Sequence, residues 1–344
     1  MFLHEAHRSF AHLRPMRTIT LEEHFVTESF VKATETPGHS LPAPIAQLRP
    51  KLLDLGAGRI AAMDEAGIDF QVLSLASMGL DALAADVATD LIRDVNDELA
   101  AAIKANPTRL GGFAALALRD PKAAAKELER SITRLGFCGV LLDGTTAGLF
   151  LDDPSFLPVW EAAASLRIPV YLHPAPPPEK VREVYYSGLP GEVGMLLSIA
   201  GWGWHAETGL HTLRLIVSGL FDRFPDLQLI IGHMGEGLPY AMARSSGILS
   251  RAMPQLRQPV ADYFRTNIQI TTSGYFTQPP LRCALEVLGI DRILLSVDYP
   301  FSPNTNGRAF LNSLAGSLST EELAKLSHEN AESVLKLRHA SLER

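Results

Sequence analysis

After Met16 the chain alternates short apolar runs with helical patterns, and this repeat constrains its fold more than any other feature. Runs such as GVLL at 139–142 and RILLSV at 292–297 are apolar almost throughout, which is typical of strands buried on both faces. Eight such strands separated by helices predict an α/β protein built as one (β/α)8 TIM barrel. The predicted strands are Arg17–Leu21, Phe70–Leu75, Gly111–Leu116, Gly139–Leu142, Pro169–Leu172, Gln228–Ile231, Asn267–Thr272 and Arg292–Val297.

Helical patterns fill the segments between the strands, and two of them begin at an Asp-Pro pair, which is typical of a helix start. An open, doubly wound sheet is the alternative fold. It is disfavoured because the sequence has no G-x-G-x-x-G or P-loop motif at a strand–helix junction. The predicted helices are Leu80–Asn106, Pro121–Leu135, Pro154–Leu166, His211–Phe224, Pro239–Ala252 and Gln278–Leu288, with a closing helix over Thr320–Leu337.

Two long insertions interrupt the repeat, at about 27–59 after the first strand and about 174–207 after the fifth. In a barrel both lie on the C-terminal face, where loops build active sites. Residues 1–15 lack the apolar stretch of a secretory signal, and we expect a disordered extension there. An ordered arm against a neighbouring subunit is the alternative. We expect residues 16–344 to form a single domain.

The charge balance and the cysteine content exclude several classes of protein. With 31 Lys+Arg against 38 Asp+Glu the net charge is −7, and the sequence has no basic run, so we expect no nucleic-acid partner. No apolar run reaches the length that spans a bilayer, so we expect no membrane association. Cys138 and Cys283 are too few for a disulfide framework, which favours the reducing cytoplasm.

Residue types that bind metals collect at the predicted C-terminal strand ends. Glu22 and His24 are two residues apart on the first strand, so their side chains point the same way and can chelate one ion, while Glu23 points away. His173 ends the fifth strand and Asp298 ends the eighth. Four such ligands at one barrel mouth suit Zn²⁺ or Mn²⁺. The alternative is that these groups are merely paired polar side chains at strand ends.

A second pair of polar residues lies in GHMGEG at 232–237. His233 ends the sixth strand and Glu236 follows one turn later, close enough to fix the tautomer of the imidazole and raise its basicity. The pair is expected to serve electrostatic or acid/base chemistry beside the metal. The alternative is that His233 is a fifth ligand.

Four motifs in this order resemble those of the metal-dependent decarboxylases of the amidohydrolase superfamily, in particular γ-resorcylate and 2,3-dihydroxybenzoate decarboxylases. They are LEEHF at 21–25, YLHP at 171–174, GHMGEGLP at 232–239 and DYPF at 298–301. The resemblance extends from about Arg17 to Leu337. It implies non-oxidative decarboxylation of a hydroxybenzoate-like carboxylic acid, with carboxylation as the reverse direction. It also implies one divalent ion, no organic cofactor, and a homodimer or homotetramer.

The resemblance also implies individual roles. Asp298 carries the proton to the ring, and His233 stabilises charge beside it. Arg244 lies near the substrate or the subunit interface, and Phe301 forms an aromatic wall on the substrate ring. Phe25, in the first motif, is a further candidate for a substrate contact.

The end of the fourth strand departs from the resemblance. Asp143 stands where the dihydroxybenzoate enzymes have an Asn that contacts a ring substituent. A negative charge beside an anionic substrate costs free energy unless the group is protonated or paired. Asp143 is therefore a candidate substrate-binding residue that accepts from a hydroxyl or binds a cationic substituent. The alternative is that it bridges a second ion.

Two other functions stay open. A metal-dependent hydrolase of a cyclic amide, ester or lactone would use the same ligands, with Asp298 as the base. A metal-binding protein without catalysis is disfavoured, because the ligand set leaves room for an open coordination position. Glu22 in place of the usual His of an H-x-H pair, together with GHMGEGLP, favours decarboxylation.

Overall fold

The computed structural model describes residues 16–35 and 46–337. Eight strands form one sheet in the order β1 to β8, and successive strands pair in parallel. The prediction of a (β/α)8 barrel is confirmed. The strands are β1 (Ile19–Phe25), β2 (Phe70–Leu75), β3 (Leu110–Ala114), β4 (Gly139–Asp143), β5 (Val170–His173), β6 (Leu229–Ile231), β7 (Ile268–Thr271) and β8 (Ile293–Leu294). The extension predicted at 1–15 lies outside the described residues.

Helices connect the strands and form part of both insertions. They are α1 (Glu28–Thr34), α2 (Arg49–Leu53), α3 (Ala57–Ala66), α4 (Ala85–Ala105), α5 (Pro121–Thr133), α6 (Leu157–Leu166), α7 (Glu179–Tyr185), α8 (Val193–Ser198), α9 (Gly203–Val217), α10 (Leu220–Arg223), α11 (Leu238–Ala252), α12 (Val260–Thr266), α13 (Gln278–Leu288), α14 (Asn304–Ser313), α15 (Thr320–Ala324) and α16 (Asn330–Leu335). Within the described part of the chain, no helix is long and apolar enough to cross a membrane.

The observed helices differ most from the predicted ones at α9 and at the closing helix. Helix α9 begins at Gly203 rather than at His211, since the polar segment before His211 is helical although it lacks an apolar period. The insertion after β5 is therefore shorter than predicted, and part of it is the first turn of α9. The closing helix is divided into α15 and α16 by a π-helical turn at Lys325–Glu329.

Strand β1 contains an irregularity that brings the candidate ligands into the barrel. Ile19 pairs with Phe70 and His24 pairs with Ser74, so β1 has one more residue than β2 between the two pairs. Such a bulge reverses the side-chain alternation. Leu21 and Glu22 both lie in the irregularity, between Thr20 and Glu23. Leu21 packs in the barrel interior with Phe113 and Tyr171, and Glu22 and His24 face the interior as well.

The side chain of Glu23 closes the seam between β8 and β1. Its carboxylate accepts hydrogen bonds from the backbone N–H groups of Val297 and Tyr299, each at 3.0 Å, and from the Ser296 hydroxyl at 3.1 Å. The N–H of His24 donates to the carbonyl of Tyr299. These bonds replace ladder bonds, which explains why β8 is shorter than the predicted Arg292–Val297. They also fix the backbone on both sides of Asp298.

Candidate active site at the C-terminal ends of the strands

A cavity of about 860 Å³ opens at the C-terminal ends of the strands. His24, His173, His233 and Asp298 contribute its polar lining at one end. Apolar groups supply much of the rest of the lining, among them Leu75, Leu116, Leu118, Leu196, Trp204 and Phe301. An apolar cleft with a few convergent polar groups is the usual form of a small-molecule site.

Glu22, His24 and His173 bring their ligand atoms within 4.8 Å of one another. The Nε2 atom of His173 lies 3.5 Å from Glu22 Oε1. Among the described residues, Glu22 Oε1 and His24 Nε2 are buried and have no hydrogen-bond partner. Buried polar atoms without partners are costly, and a cation between them would satisfy both. The donor set of this group therefore fits a divalent metal ion.

Asp298 lies beside this group. Its Oδ1 is 3.3 Å from His24 Nε2, and its Oδ2 is 4.0 Å from His233 Nε2. Burial raises the pKa of Asp298 to about 6, although His233 and His173 oppose the shift. The carboxyl group can therefore reach an ion through one oxygen and a substrate in the cavity through the other.

The two ligand histidines have opposite pKa shifts. Burial, with a further contribution from His173, lowers the pKa of His24 to about 3, so its ring is neutral as metal binding requires. Burial also disfavours the charged form of His173, but hydrogen bonding to Asp143 raises the pKa of that ring above its ordinary value.

Asp143 orients His173 rather than standing alone in the cavity. Its Oδ1 accepts from His173 Nδ1 at 3.0 Å, and the Ser77 hydroxyl donates to its other oxygen. A carboxylate behind a metal-binding histidine fixes the tautomer and aims Nε2 at the ion. The carboxylate of Asp143, which would be unfavourable alone beside an anionic substrate, thus has two hydrogen-bond partners, His173 and Ser77. Asp143 also lines the cavity, and its predicted contact with substrate stays a prediction.

Tyr171 and Gly232 together determine the position of the Glu22 carboxylate, the first by a hydrogen bond and the second by leaving space for it. The Tyr171 hydroxyl donates to Glu22 Oε2 and lies 3.0 Å from the Thr271 hydroxyl. A Cβ added at Gly232 would lie 2.9 Å from Glu22 Oε2, so only glycine leaves room for the carboxylate there.

Tyr171→Phe is expected to weaken metal binding about 10–100-fold, because Glu22 loses one of the two hydroxyl donors that orient it, the other being Thr271 at 3.3 Å. Competition with a chromophoric chelator measures the change in Kd. Tyr263→Phe is the matched control, since that hydroxyl also donates to a carboxylate, that of Asp222, but on helices away from the cavity. Equal Kd values for the two variants would contradict the role of Tyr171.

His233 and Glu236 form the predicted pair, with His233 Nδ1 donating to Glu236 Oε1 at 2.8 Å. Burial disfavours the charged ring, but the carboxylates of Glu236 and Glu22 raise the pKa of His233 to about 10. Its Nε2 lies 3.7 Å from Glu22 Oε1, facing the metal-binding group. The alternative role of His233 as a fifth ligand stays open.

Left-handed backbone concentrates at the residues proposed to act. His233, Met234 and Glu236 have φ between 50° and 56°, and Asp298 has φ 71°. Non-glycine residues rarely adopt this region, and such strain tends to persist at functional sites. The glycines of GHMGEG accommodate the rest of the turn, since Gly235 and Gly237 have φ of 80° and 74°.

Two of the predicted substrate contacts do not lie in the cavity. Phe25 is 1% exposed and packs in the hydrophobic core outside the barrel interior, because it alternates with His24 along β1. Phe25 is not part of the cavity lining, and its contact with a substrate stays a prediction. Arg244 is exposed on α11 and does not line the cavity of its own chain. Phe301 does line it, with its ring 5.5 Å from the His24 ring.

Sequence reasoning missed His205. This residue lies in the first turn of α9, lines the cavity and binds Glu236. A lone histidine within an insertion carries no positional signal, because its neighbour in space lies far away in sequence. Sequence reasoning also missed the hydrogen bond from Tyr171 to Glu22, because a tyrosine within an apolar strand has the pattern of an ordinary core residue.

Comparison with known proteins identifies the family. Residues 24–337 match the family model described as Amidohydrolase. The chain is 39% identical over 326 residues to decarboxylase orsB of Emericella nidulans, covering 93% of this chain and 97% of that protein. It is 38% identical over 333 residues to a γ-resorcylate decarboxylase of a Polaromonas species, covering 93% and 98%.

A solved decarboxylase structure is similar to this chain in both fold and sequence. The dihydroxybenzoic acid decarboxylase of a Polaromonas species, with bound manganese and the inhibitor 2-nitroresorcinol, superposes with a TM-score of 0.85 at 35% identity, covering 95% of this chain and 99% of that one. The chain belongs to the amidohydrolase family.

Proposed function

We propose that this chain is a metal-dependent, non-oxidative decarboxylase of a hydroxylated aromatic carboxylic acid. The observation that carries the proposal is a pair of buried ligand atoms, Glu22 Oε1 and His24 Nε2, which have no hydrogen-bond partner among the described residues and lie beside the carboxyl group of Asp298 at the end of the cavity. The decarboxylases to which the chain is similar support the same reaction.

Glu22, His24, His173 and Asp298 would hold one divalent ion. Two carboxylates and two imidazoles suit manganese or zinc, and we propose Mn²⁺ because the related Polaromonas structure contains manganese. When bound, the ion would fix and polarise the carboxylate and an adjacent hydroxyl of the substrate. We propose no organic cofactor.

Asp298 would supply the proton. It would donate to the ring carbon that carries the carboxyl group, which makes a non-aromatic intermediate. The C–C bond then breaks, its electron pair returns to the ring, and CO2 leaves. The proton replaces the carboxyl group on carbon, so no oxidant or reductant is needed.

His233 and Glu236 would balance charge during this step. The carboxylates of Glu236 and Glu22 raise the pKa of His233 above its ordinary value in spite of its burial, which favours the protonated ring. Its Nε2 faces Asp298 Oδ2 at 4.0 Å and can stabilise the carboxylate that remains after proton transfer.

The substrate ring would pack against Phe301 within the apolar part of the cavity. A volume of about 860 Å³ leaves room for a ring with further substituents. Asp143, already bonded to His173, would accept a hydrogen bond from a ring hydroxyl.

We further propose a homo-oligomer, either a dimer or a tetramer. The insertion after β5 exposes large apolar side chains, including Val184 at 76%, Tyr185 at 72% and Trp202 at 61%, and Tyr240 of α11 is 90% exposed. Apolar surface of this kind commonly marks a protein interface. The cytoplasmic location stays a prediction.

A substrate panel tests the proposed function. Hydroxybenzoates, with and without alkyl substituents, are incubated with apoprotein reconstituted with Mn²⁺ or Zn²⁺, with and without oxygen. We expect CO2 release that requires the metal, is insensitive to oxygen and is faster with Mn²⁺. A panel of lactones and cyclic amides is the control. Hydrolysis of one of these by metal-loaded protein that releases no CO2 from any hydroxybenzoate would favour the hydrolase.

A further inference from the structure

Glu236 has a second histidine partner. His205 Nδ1 lies 2.5 Å from Glu236 Oε2, while His233 Nδ1 lies 2.8 Å from Oε1. The carboxylate of Glu236 is thus bound between two imidazoles that come from different elements. His205 belongs to α9, whereas His233 and Glu236 belong to the turn after β6.

The ring of His205 is itself held in place. Its Nε2 lies 3.2 Å from the carbonyl oxygen of Ala200, and its Nδ1 faces the Glu236 carboxylate. Both partners are acceptors, and the two contacts together hold the ring in one orientation. His205 also makes edge contacts with the rings of His233 at 5.0 Å and Tyr275 at 5.8 Å.

The turn that carries Glu236 needs such an anchor. His233 and Glu236 both have left-handed φ, which costs free energy and persists only where the surroundings impose it. The described side chains give Glu236 two hydrogen-bond donors, His233 and His205. Without His205, one carboxylate oxygen would lose its partner, and Glu236 could rotate away from His233.

We propose that His205 is a positioning residue for the reaction, which fixes the Glu236 carboxylate so that His233 keeps its Nδ1–H bond and presents Nε2 to the reacting groups. The inference rests on the proposed function, since it assigns His205 a part in that chemistry. His205 acts through Glu236 and is not itself a donor to the substrate.

Two substitutions at position 205 test the proposal. His205→Phe keeps a ring but removes the donor, whereas His205→Asn keeps an N–H donor near the position of Nδ1. We expect His205→Phe to lower kcat about 10–100-fold with one metal ion still bound per chain, and His205→Asn to recover most of the loss. Leu210→Phe, which adds a ring at an exposed position of α9, is the matched control.

A double-mutant cycle separates positioning from a merely structural effect. In a Glu236→Gln background, His205→Phe should have little further effect on kcat, because the group that it positions is already altered. Full additivity of the two losses would overturn the proposal, and so would a His205→Phe enzyme with wild-type kcat.

A spectroscopic measurement tests His205 independently of activity. In ¹⁵N-histidine-labelled, zinc-loaded protein, the Nδ1–H resonance of His233 should shift or broaden in His205→Phe and return in His205→Asn. An unchanged resonance would overturn the proposal even if the proposed function holds. A change in the resonance of a protein that releases no CO2 would support His205 and refute the function. A second bound ion that is lost in His205→Phe would overturn it as well.

Discussion

Asp298→Asn is expected to abolish most turnover, by about 10²–10⁴-fold, while the protein still binds its ion. The amide oxygen of Asn can occupy the position of Oδ1, which lies 3.3 Å from His24 Nε2, but the amide cannot deliver a proton to the ring carbon. The fold should survive, because the backbone around residue 298 is fixed by Glu23 through Val297 and Tyr299. Measurement of kcat together with metal content per chain distinguishes lost chemistry from lost metal.

Asp291→Asn serves as the control for this substitution. Asp291 is an exposed residue near β8 that pairs with Lys325 at 3.0 Å, so its loss should leave kcat unchanged. A metal-loaded Asp298→Asn enzyme with normal turnover would remove Asp298 from the proton step.

Glu22→Gln and Glu23→Gln are expected to affect different properties although the residues are neighbours: the first lowers metal affinity and the second lowers the free energy of unfolding. Glu22→Gln removes a charged ligand whose Oε1 accepts no hydrogen bond from the described residues, so the metal Kd should rise by more than about 100-fold, with activity lost and the fold retained. Glu23→Gln should keep the ion but lower the free energy of unfolding by about 1–3 kcal/mol, because an amide NH2 replaces an acceptor at the seam. Metal titration and urea denaturation of both variants measure the two effects.

The Glu23 effect should depend on pH. Burial raises the pKa of Glu23 to about 7, although backbone hydrogen bonds from Val297 and Tyr299 oppose the shift. In the unfolded chain the group ionises near its ordinary pKa, so the folded wild type loses up to about 3 kcal/mol of stability as pH rises from about 4.5 to 7. Glu23→Gln lacks this loss, and the stability difference from wild type should shrink over that range. A difference that grows with pH would contradict the assignment.

Much of the fold could be predicted because strands covered on both faces are apolar throughout, and all eight predicted strands overlap observed ones. The bulge in β1 could not be predicted, since it depends on pairing with β2. The alternation rule nevertheless placed Glu22 and His24 together, because the irregularity ends before Glu23 and leaves both side chains on the interior face. The same rule, applied to Phe25, would have excluded it from the cavity.

The candidate site, like the fold, could be predicted only in part from the sequence. Strand-end position was sufficient to find His24, His173, His233 and Asp298, which the barrel brings to one cavity. Position in sequence could not reveal that Asp143 pairs with His173 or that His205 binds Glu236, because these contacts join residues about 30 positions apart. The hydrogen bond of 3.0 Å between Asp143 and His173 explains why a carboxylate is tolerated at the end of the fourth strand.

The product formed in D2O tests the central claim most directly. Metal-loaded protein is incubated in D2O with a hydroxybenzoate that it accepts as a substrate, and the product is analysed by NMR and mass spectrometry. Proton delivery to the carboxyl-bearing carbon predicts one deuterium at that position and one CO2 per product. A hydroxyl group at the vacated carbon, or a product that has gained water with the carboxyl group retained, would contradict the account.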